Sequence, residues 1–235
     1  MLDGNSVLAI IPARGGSKGI PKKNIYPVRG KPLLSYATEL MTSLSWVDLT
    51  SVSTDSQEIA DVALEVRGVD IAWRPEDLSG DRIGDRDVLQ HALNDVEVRH
   101  EKRFDVVLMI QPTSPLRTAE HVEACAKTLI EGSWDAVWSV SETDLAYHPL
   151  KQLTLEDGHL DYFDDRGQSI IARQQLTPVY HRNGVCYAFR RDFLLDAGSI
   201  WSPGKTTAVI VPGAHVSIDT IEDVAQVERI MAGAG

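Results

Sequence analysis

A doubly wound α/β fold around a mostly parallel sheet is the architecture that this sequence predicts. Three observations predict it: short apolar runs that are continuous instead of alternating, helix-period segments between them, and ligand-type residues just past the ends of the runs. The first run, Val7 to Ile11, is β-branched and closed by Pro12, which suits a strand covered on both faces. Runs of the same kind recur at Leu49 to Ser53, Val69 to Trp73, Val106 to Ile110, Ala136 to Val140, Val185 to Phe189 and Ala208 to Val211. Between them, Ser56 to Arg67 places Ile59, Val62, Ala63 and Val66 on one helical stripe, with Asp55 or Ser56 available as N-cap; Asp55 is read as the cap. Pro32 to Leu44, Arg86 to Val98, Ala119 to Ile130 and Thr220 to Met231 have the same period, the last with Glu222 and Asp223 in a first turn that favours negative charge. Sheets of this class gather their ligands at the carboxyl ends of the strands.

The stretch from Thr143 to Arg182 breaks the rhythm. It is rich in Asp, Gly, Gln and His, and Asp157-Gly158 and Arg166-Gly167 read as turns between short strands. Forty residues exceed an ordinary connection, so 143–182 is expected to be an inserted arm, with dimerisation as one use. The length of 235 residues suggests one large domain carrying this appendage.

Composition narrows the partners. A hydrophobic share of 43% and a charged share of 24% exclude a disordered or fibrous chain. A net charge of -11 disfavours nucleic acid or an anionic membrane bound through bulk positive charge. The longest strongly apolar run, Val106 to Ile110, is far short of the ~18 residues needed to span a bilayer. Met1 to Asn5 lacks the basic-then-apolar order of an export signal, so a cytoplasmic protein is expected. Cys125 and Cys186 are too few for a disulfide framework and are expected to be reduced and half-buried.

The sharpest local feature follows the first strand. Pro12 to Asn24 (PARGGSKGIPKKN) packs four cations, three glycines and two prolines where an α/β fold places its ligand, a design for polyphosphate. It lacks the order of a Walker A loop and of G-x-G-x-x-G. The plainer reading is a flexible solvated loop; glycine with lysine directly after a buried strand, in an acidic chain, argues against it. A second segment, Gln111 to Thr118 (QPTSPLRT), puts amide, hydroxyl and guanidinium groups at another strand end, either to orient a ligand or to make a well-capped turn. In a third, Ser217-Ile218-Asp219-Thr220, one carboxylate at a strand end is enough to help hold Mg²⁺ beside phosphates, although Asp219 or Thr220 could equally be the helix N-cap. His148 is open to an acid–base or a structural role, and Asp81 is left unassigned. Trp134, Trp138 and Trp201 read as core or interface anchors.

These segments in this order, with Ser53-Thr-Asp55, Arg74-Pro-Glu-Asp-Leu78, His148-Pro-Leu-Lys151, Arg173-Gln-Gln-Leu176, Asn183-Gly184 and Ile218-Asp-Thr-Ile-Glu-Asp223, resemble the CMP-sialic acid synthetases and related CMP-nonulosonic acid synthetases over nearly the whole chain. The resemblance implies a Rossmann-like nucleotidyltransferase that joins CMP from CTP to a 2-keto sugar acid such as N-acetylneuraminate and releases pyrophosphate. It implies Arg14, Lys18 and Lys23 on the triphosphate, acting as catalytic groups with Asp219, and Ala13, Gly15, Gly16 and Ser17 completing the nucleotide contact. Asn24 and Arg74 would meet the ribose and cytosine, and Asp219 would bind Mg²⁺. Gln111, Lys151, Arg173, Asn183 and Tyr187 would line the sugar pocket, with Lys151 and Arg173 as the cations suited to its carboxylate. The arm implies a homodimer with a two-chain site.

Two departures from the family pattern stand out. Ser217 occupies a place where the family often has a second metal-binding Asp, and His181 precedes Asn183 by two where an Arg is common, with Arg182 one residue later. The first leaves water or Ser217 to complete the metal, and the second bears on which sugar is read. Alternatives are a cytidylyltransferase for another acid, Kdo-like or a phosphonate, and a non-catalytic nucleotide sensor; Gln111-Pro112-Thr113 disfavours the Kdo branch, where a second Asp is expected. No sequence follows the last helix for the phosphatase-like domain of some longer relatives, so none is expected.

Overall fold

Every continuous apolar run becomes a strand of one seven-stranded sheet in the computed structural model, which describes residues 1–213 and 215–233. In chain order the elements are β1 (Val7–Pro12), a two-residue ribbon β2 (Pro27–Val28) and β3 (Lys31–Pro32), α1 (Leu33–Ser43), β4 (Leu49–Thr54), α2 (Gln57–Leu64), β5 (Val69–Trp73), α3 (Asp85–His100), β6 (Val106–Met109), α4 (Ala119–Glu131), β7 (Ala136–Glu142), the hairpin β8 (Leu153–Glu156) and β9 (His159–Tyr162), β10 (Tyr180–Arg190), α5 (Arg191–Asp196), β11 (Thr206–Ile210) and α6 (Ile221–Met231). The sheet order is β11-β7-β10-β6-β1-β4-β5, and every pairing is parallel except those of β10 with β6 and β7. The mostly parallel expectation holds. β10 reverses because the arm delivers the chain to the carboxyl edge of β7, and the strand must run back from there.

Alternation along β1 divides the core. Val7, Ala9 and Ile11 pack with residues of α1, α2 and α4 on one face, and Leu8 and Ile10 with α3 and α5 on the other. Both faces are dry, which is why the run is apolar without a break. Cys125 and Cys186 are fully buried in the first cluster, deeper than the expected half-burial. Trp134 and Trp138 pack against the core, whereas Trp201 is half exposed.

A third cluster decides how the basic loop is held. Ile20, from the middle of that loop, is fully buried against Leu33, Ile218 and Val227, so α1 and α6 share one anchor. Burying such a side chain stabilises by ~1.5–3 kcal/mol, which a freely solvated loop would forgo.

In the arm, Asp157 (φ 50°) and Gly158 (φ 81°) make the β8–β9 turn with the two left-handed residues a tight hairpin needs. Arg166-Gly167 is no such turn; it lies in a short 3₁₀ segment, Asp165–Ser169. Leu155, Leu160, Phe163 and Ile171 expose most of their surface there. No described helix is long and apolar enough to cross a membrane.

Candidate active site

A cavity of about 580 Å³ opens at the carboxyl ends of β1 and β6, walled by the basic loop, the start of α3 and the segment entering α6. The loop is shaped by backbone contacts before any ligand is considered. Ala13 is buried and its N–H donates to Ser53 O at 2.9 Å, extending the strand pairing by one residue. Gly15 N–H donates to Asp55 Oδ1 at 2.7 Å. Asp55 is therefore a loop tie and not the helix cap; Ser56 occupies the N-cap of α2. Asn24 is buried and its Nδ2 donates to Arg14 O at 2.9 Å, closing the loop across its base. Gly19 passes so close to the α6 entry that a Cβ there would lie 2.5 Å from Asp219 O, which leaves room for glycine alone.

This frame aims three cations into the cavity. Arg14 Nη1 and Lys18 Nζ each lie 2.5 Å from a different oxygen of Asp81, and Lys23 Nζ lies 2.7 Å from Asp219 Oδ1. The hydrogen bonds from Lys18 and Arg14 hold the Asp81 carboxyl below the usual carboxylate range. Asp81, placed between Gly80 and Gly84, is thus an internal anion on the cations that the sequence points at phosphate. Its acidic identity was visible in the sequence, but nothing linked it to a loop 67 residues upstream. Asp85, Ile83 and Met109 also line the cavity without any signal as site residues, and Thr113 lines it from the Gln111–Thr118 segment. Gly16, Ser17, Arg74 and Gln111 line it as well. Arg74 is buried and donates to Ser53 O at 3.0 Å, and burial lowers its pKa.

At the α6 entry the two open readings separate. Thr220 is the N-cap, accepting from Asp223 N–H at 3.3 Å, while Asp219 keeps its side chain 70% exposed. Ser217 Oγ donates to Thr113 Oγ1 at 3.1 Å beside it.

The Gln111–Thr118 segment works inward. Arg117 is buried and its guanidinium donates to the carbonyls of Val185, Gln111 (2.5 Å) and Gly184 (3.1 Å). Burial pulls its pKa down to about 10. Through Nε and Nη2 it clamps the strand end onto β10. Gly184 has φ +70°, and a Cβ on it would lie 2.4 Å from Gln111 Oε1, so the glycine lets Gln111 lie flat across β10.

The structure does not bring all of the expected residues to the cavity. Asn183 is buried, its Oδ1 accepting from Ser139 Oγ at 2.6 Å and from Val185 N–H at 3.1 Å. Tyr187 is buried beside it, and its hydroxyl accepts from Gly184 N–H at 3.0 Å. Lys151 and Arg173 line a separate cavity of about 280 Å³ within the arm. His148 is also spent on structure: Nδ1 accepts from Leu150 N–H at 3.2 Å and Nε2 faces Thr177 O at 3.1 Å. Among the described residues no group of three or more His, Cys, Asp or Glu could hold a metal.

The cavity thus gathers three cations at the strand ends of a mostly parallel sheet. Residues 8–231 match the family model described as "Cytidylyltransferase". The chain belongs to the cytidylyltransferase family. This cytidylyltransferase is 32% identical over 233 residues to the CMP-N,N'-diacetyllegionaminic acid synthase of Legionella pneumophila, covering 96% of both chains. It is 30% identical over 216 residues to the pseudaminic acid cytidylyltransferase of Campylobacter jejuni, covering 92% of both. With the N-acylneuraminate cytidylyltransferase of Streptococcus agalactiae it shares 31% over 221 residues, which is 92% of this chain and 51% of that one. These relatives bear out its placement among the CMP-nonulosonic acid synthetases. Among solved structures, a CMP:2-keto-3-deoxy-manno-octonic acid synthetase complexed with CTP superposes with a TM-score of 0.69 at 19% identity, over 97% of this chain and 99% of that one. The 4-diphosphocytidyl-2C-methyl-D-erythritol synthase of Anaerococcus prevotii gives 0.64 at 14% identity, over 98% and 100%. Both likenesses bear out the fold.

Proposed function

We propose that this cytidylyltransferase transfers CMP from CTP to the anomeric hydroxyl of a nonulosonic acid and releases pyrophosphate. The observation that carries the reading is the convergence of Arg14, Lys18 and Lys23 on one cavity that Gln111 also lines. The anomeric oxygen attacks the α-phosphorus as the bond to pyrophosphate breaks, so charge builds on the leaving group. Three cations carried on a braced loop meet that charge once they exchange their carboxylate partners for phosphate, and the loop itself need not move, which is how electrostatic catalysis keeps reorganisation small. Arg14 and Lys18 hold the triphosphate once it displaces Asp81, and Lys23 holds it from the α6 side. The Gly16–Ser17 main chain lies along it, with Ala13 and Gly15 fixing the loop behind. Asn24 and Arg74 bound the nucleoside end. Gln111 orients the acceptor, over a floor kept in register by Asn183 and Tyr187.

The residues at the α6 entry fit a Mg²⁺ that draws most of its ligands from nucleotide and water: Asp219 offers an exposed carboxylate, and Ser217 and Thr113 offer only hydroxyl oxygen. Asp219 would hold it, with Ser217 beside it. When bound, the cation neutralises phosphate charge and polarises the α-phosphoryl centre.

Lys151 and Arg173 line a cavity apart from that of the basic loop, so they meet an acceptor from a partner's arm, and the exposed Leu155, Leu160, Phe163 and Ile171 support a homodimer joined there. One domain carrying this arm, working in the cytoplasm where CTP is made, completes the reading. The test is pyrophosphate release from CTP and Mg²⁺ with a panel of 2-keto sugar acids. Release with at least one is expected; CTP binding with no release from any acid would leave a nucleotide sensor instead.

A further inference from the structure

Joining CMP to an acid gives Asp81 no task, yet its carboxylate holds two of the three cations assigned to the departing pyrophosphate. The two oxygens are divided between them, Oδ1 to Arg14 Nη1 and Oδ2 to Lys18 Nζ, each at 2.5 Å. Two oxygens of one phosphate would meet the same pair in the same way. Lys23 differs, because its partner Asp219 has a use of its own at Mg²⁺. Asp81 is a resident anion in a seat made for another.

The segment that carries Asp81 is lightly held. It joins the Glu76–Leu78 turn to the start of α3, and Gly80 and Gly84 bracket it. A Cβ on Gly84 would meet nothing within 4 Å, so no packing confines that end. Between the two glycines one backbone hydrogen bond forms, Ile83 N–H to Gly80 O at 3.4 Å, long for its kind. The cations sit on the opposite footing, since Ile20, Asn24 and the Gly15 amide brace their loop. When the pair opens, the Asp81 segment moves and the basic loop stays.

Resting on the cytidylyl-transfer reading, we infer that Asp81 is an intramolecular competitor of pyrophosphate, returning to Arg14 and Lys18 as the leaving group departs and so clearing the site. A tether of a few residues keeps its carboxylate at an effective concentration on the order of mM beside the cations. Pyrophosphate leaves in steps, and each cation it lets go is taken by a carboxylate oxygen. CTP binding is weakened by the same factor as pyrophosphate binding. A ligand without the departing phosphates leaves the pair in place and is not weakened.

Titration calorimetry of wild type and Asp81→Asn with pyrophosphate, CTP and CMP, in the absence of acceptor, reads the competition directly. The variant should bind pyrophosphate roughly 3-fold more tightly, the scale of an exposed ion pair, and CTP by the same factor. CMP binding should not change. Stopped-flow displacement should find the gain in slower pyrophosphate dissociation, where affinity differences between related complexes mostly lie. Unchanged or weaker pyrophosphate binding overturns the inference and leaves cytidylyl transfer standing. So does an equal gain for CMP, the mark of a change in the overall field instead of an occupied seat, and so does a gain carried wholly by faster association. If wild type binds neither pyrophosphate nor CTP, the phosphate reading of the loop falls and the inference with it.

Discussion

Replacing Arg117 by methionine sets three carbonyls, two of them fully buried with their donors, against one buried charge. The methionine fills most of the volume but leaves Val185 O, Gln111 O and Gly184 O without their donors, at about 1–3 kcal/mol for each buried group left unsatisfied. Opposing this, burial has already pulled the guanidinium from an ordinary 12.5 down to about 10, a desolvation cost on the order of 3 kcal/mol that the variant escapes. At the middle of that range the three carbonyls, at about 6 kcal/mol together, outweigh the charge, and a net destabilisation of about 3 kcal/mol is expected. Equilibrium urea denaturation of both chains, with their slopes compared, measures it. Lysine should not rescue, because a point cation cannot spread over three acceptors as the fork does. A midpoint shift worth under about 0.5 kcal/mol, the scale of a bland surface change, would refute the clamp.

Lys18→Ala should cut turnover by about 10²-fold or more if Lys18 stabilises charge on the departing pyrophosphate, as steady-state kinetics would read; near-normal turnover removes it from the mechanism. Asp81→Asn should tighten CTP binding by roughly 3-fold, the scale of an exposed ion pair, because it frees Arg14 and Lys18 from a competing anion. Titration calorimetry showing equal or weaker binding would show that Asp81 does not compete. Asp219→Asn should raise the Mg²⁺ concentration needed for half-maximal activity, and an unshifted Mg²⁺ curve would leave Asp219 a partner of Lys23 alone. Burial alone would raise the Asp70 carboxyl, but hydrogen bonds from Arg99, His100 and Ser51 outweigh it and bring it down to about 2. The folded group holds its proton less tightly than the unfolded one, so its contribution is full above pH ~4 and is lost as pH falls toward about 2. Asp70→Asn should flatten that acid limb in denaturation curves recorded across the window.

What the sequence disclosed and what it withheld follow from the range of the forces involved. The inner strands of the seven-stranded sheet were legible because burial on both faces favours apolar residues in succession, a signal carried within five or six neighbours, and the partly exposed edge strands β5 and β11 keep enough of it to be read. The Arg191–Asp196 helix and the Pro27–Pro32 ribbon were not, being too short to show a period. The direction of β10 depends on which edge the arm leaves the chain at, and no local pattern encodes that.

The site divides along the same line. The loop from Arg14 to Asn24 announced itself because its glycines and cations are consecutive, whereas the anions that hold it, Asp81 and Asp219, lie 67 and 196 positions from the cations they meet. Residue type misled where it was read without depth. Asn183, Tyr187 and Arg117 have the side chains of ligand readers, yet each is buried, and a buried polar group must find its partners inside the protein. Asn183 found Ser139 and the Val185 amide, Tyr187 the Gly184 amide, and Arg117 three carbonyls. Together they hold β10 against β6 and β7, so the polar identity of all three is required by the sheet irregularity that seats Gly184 under Gln111. Substituting any of them should therefore act on the acceptor through Gln111 and on stability at once.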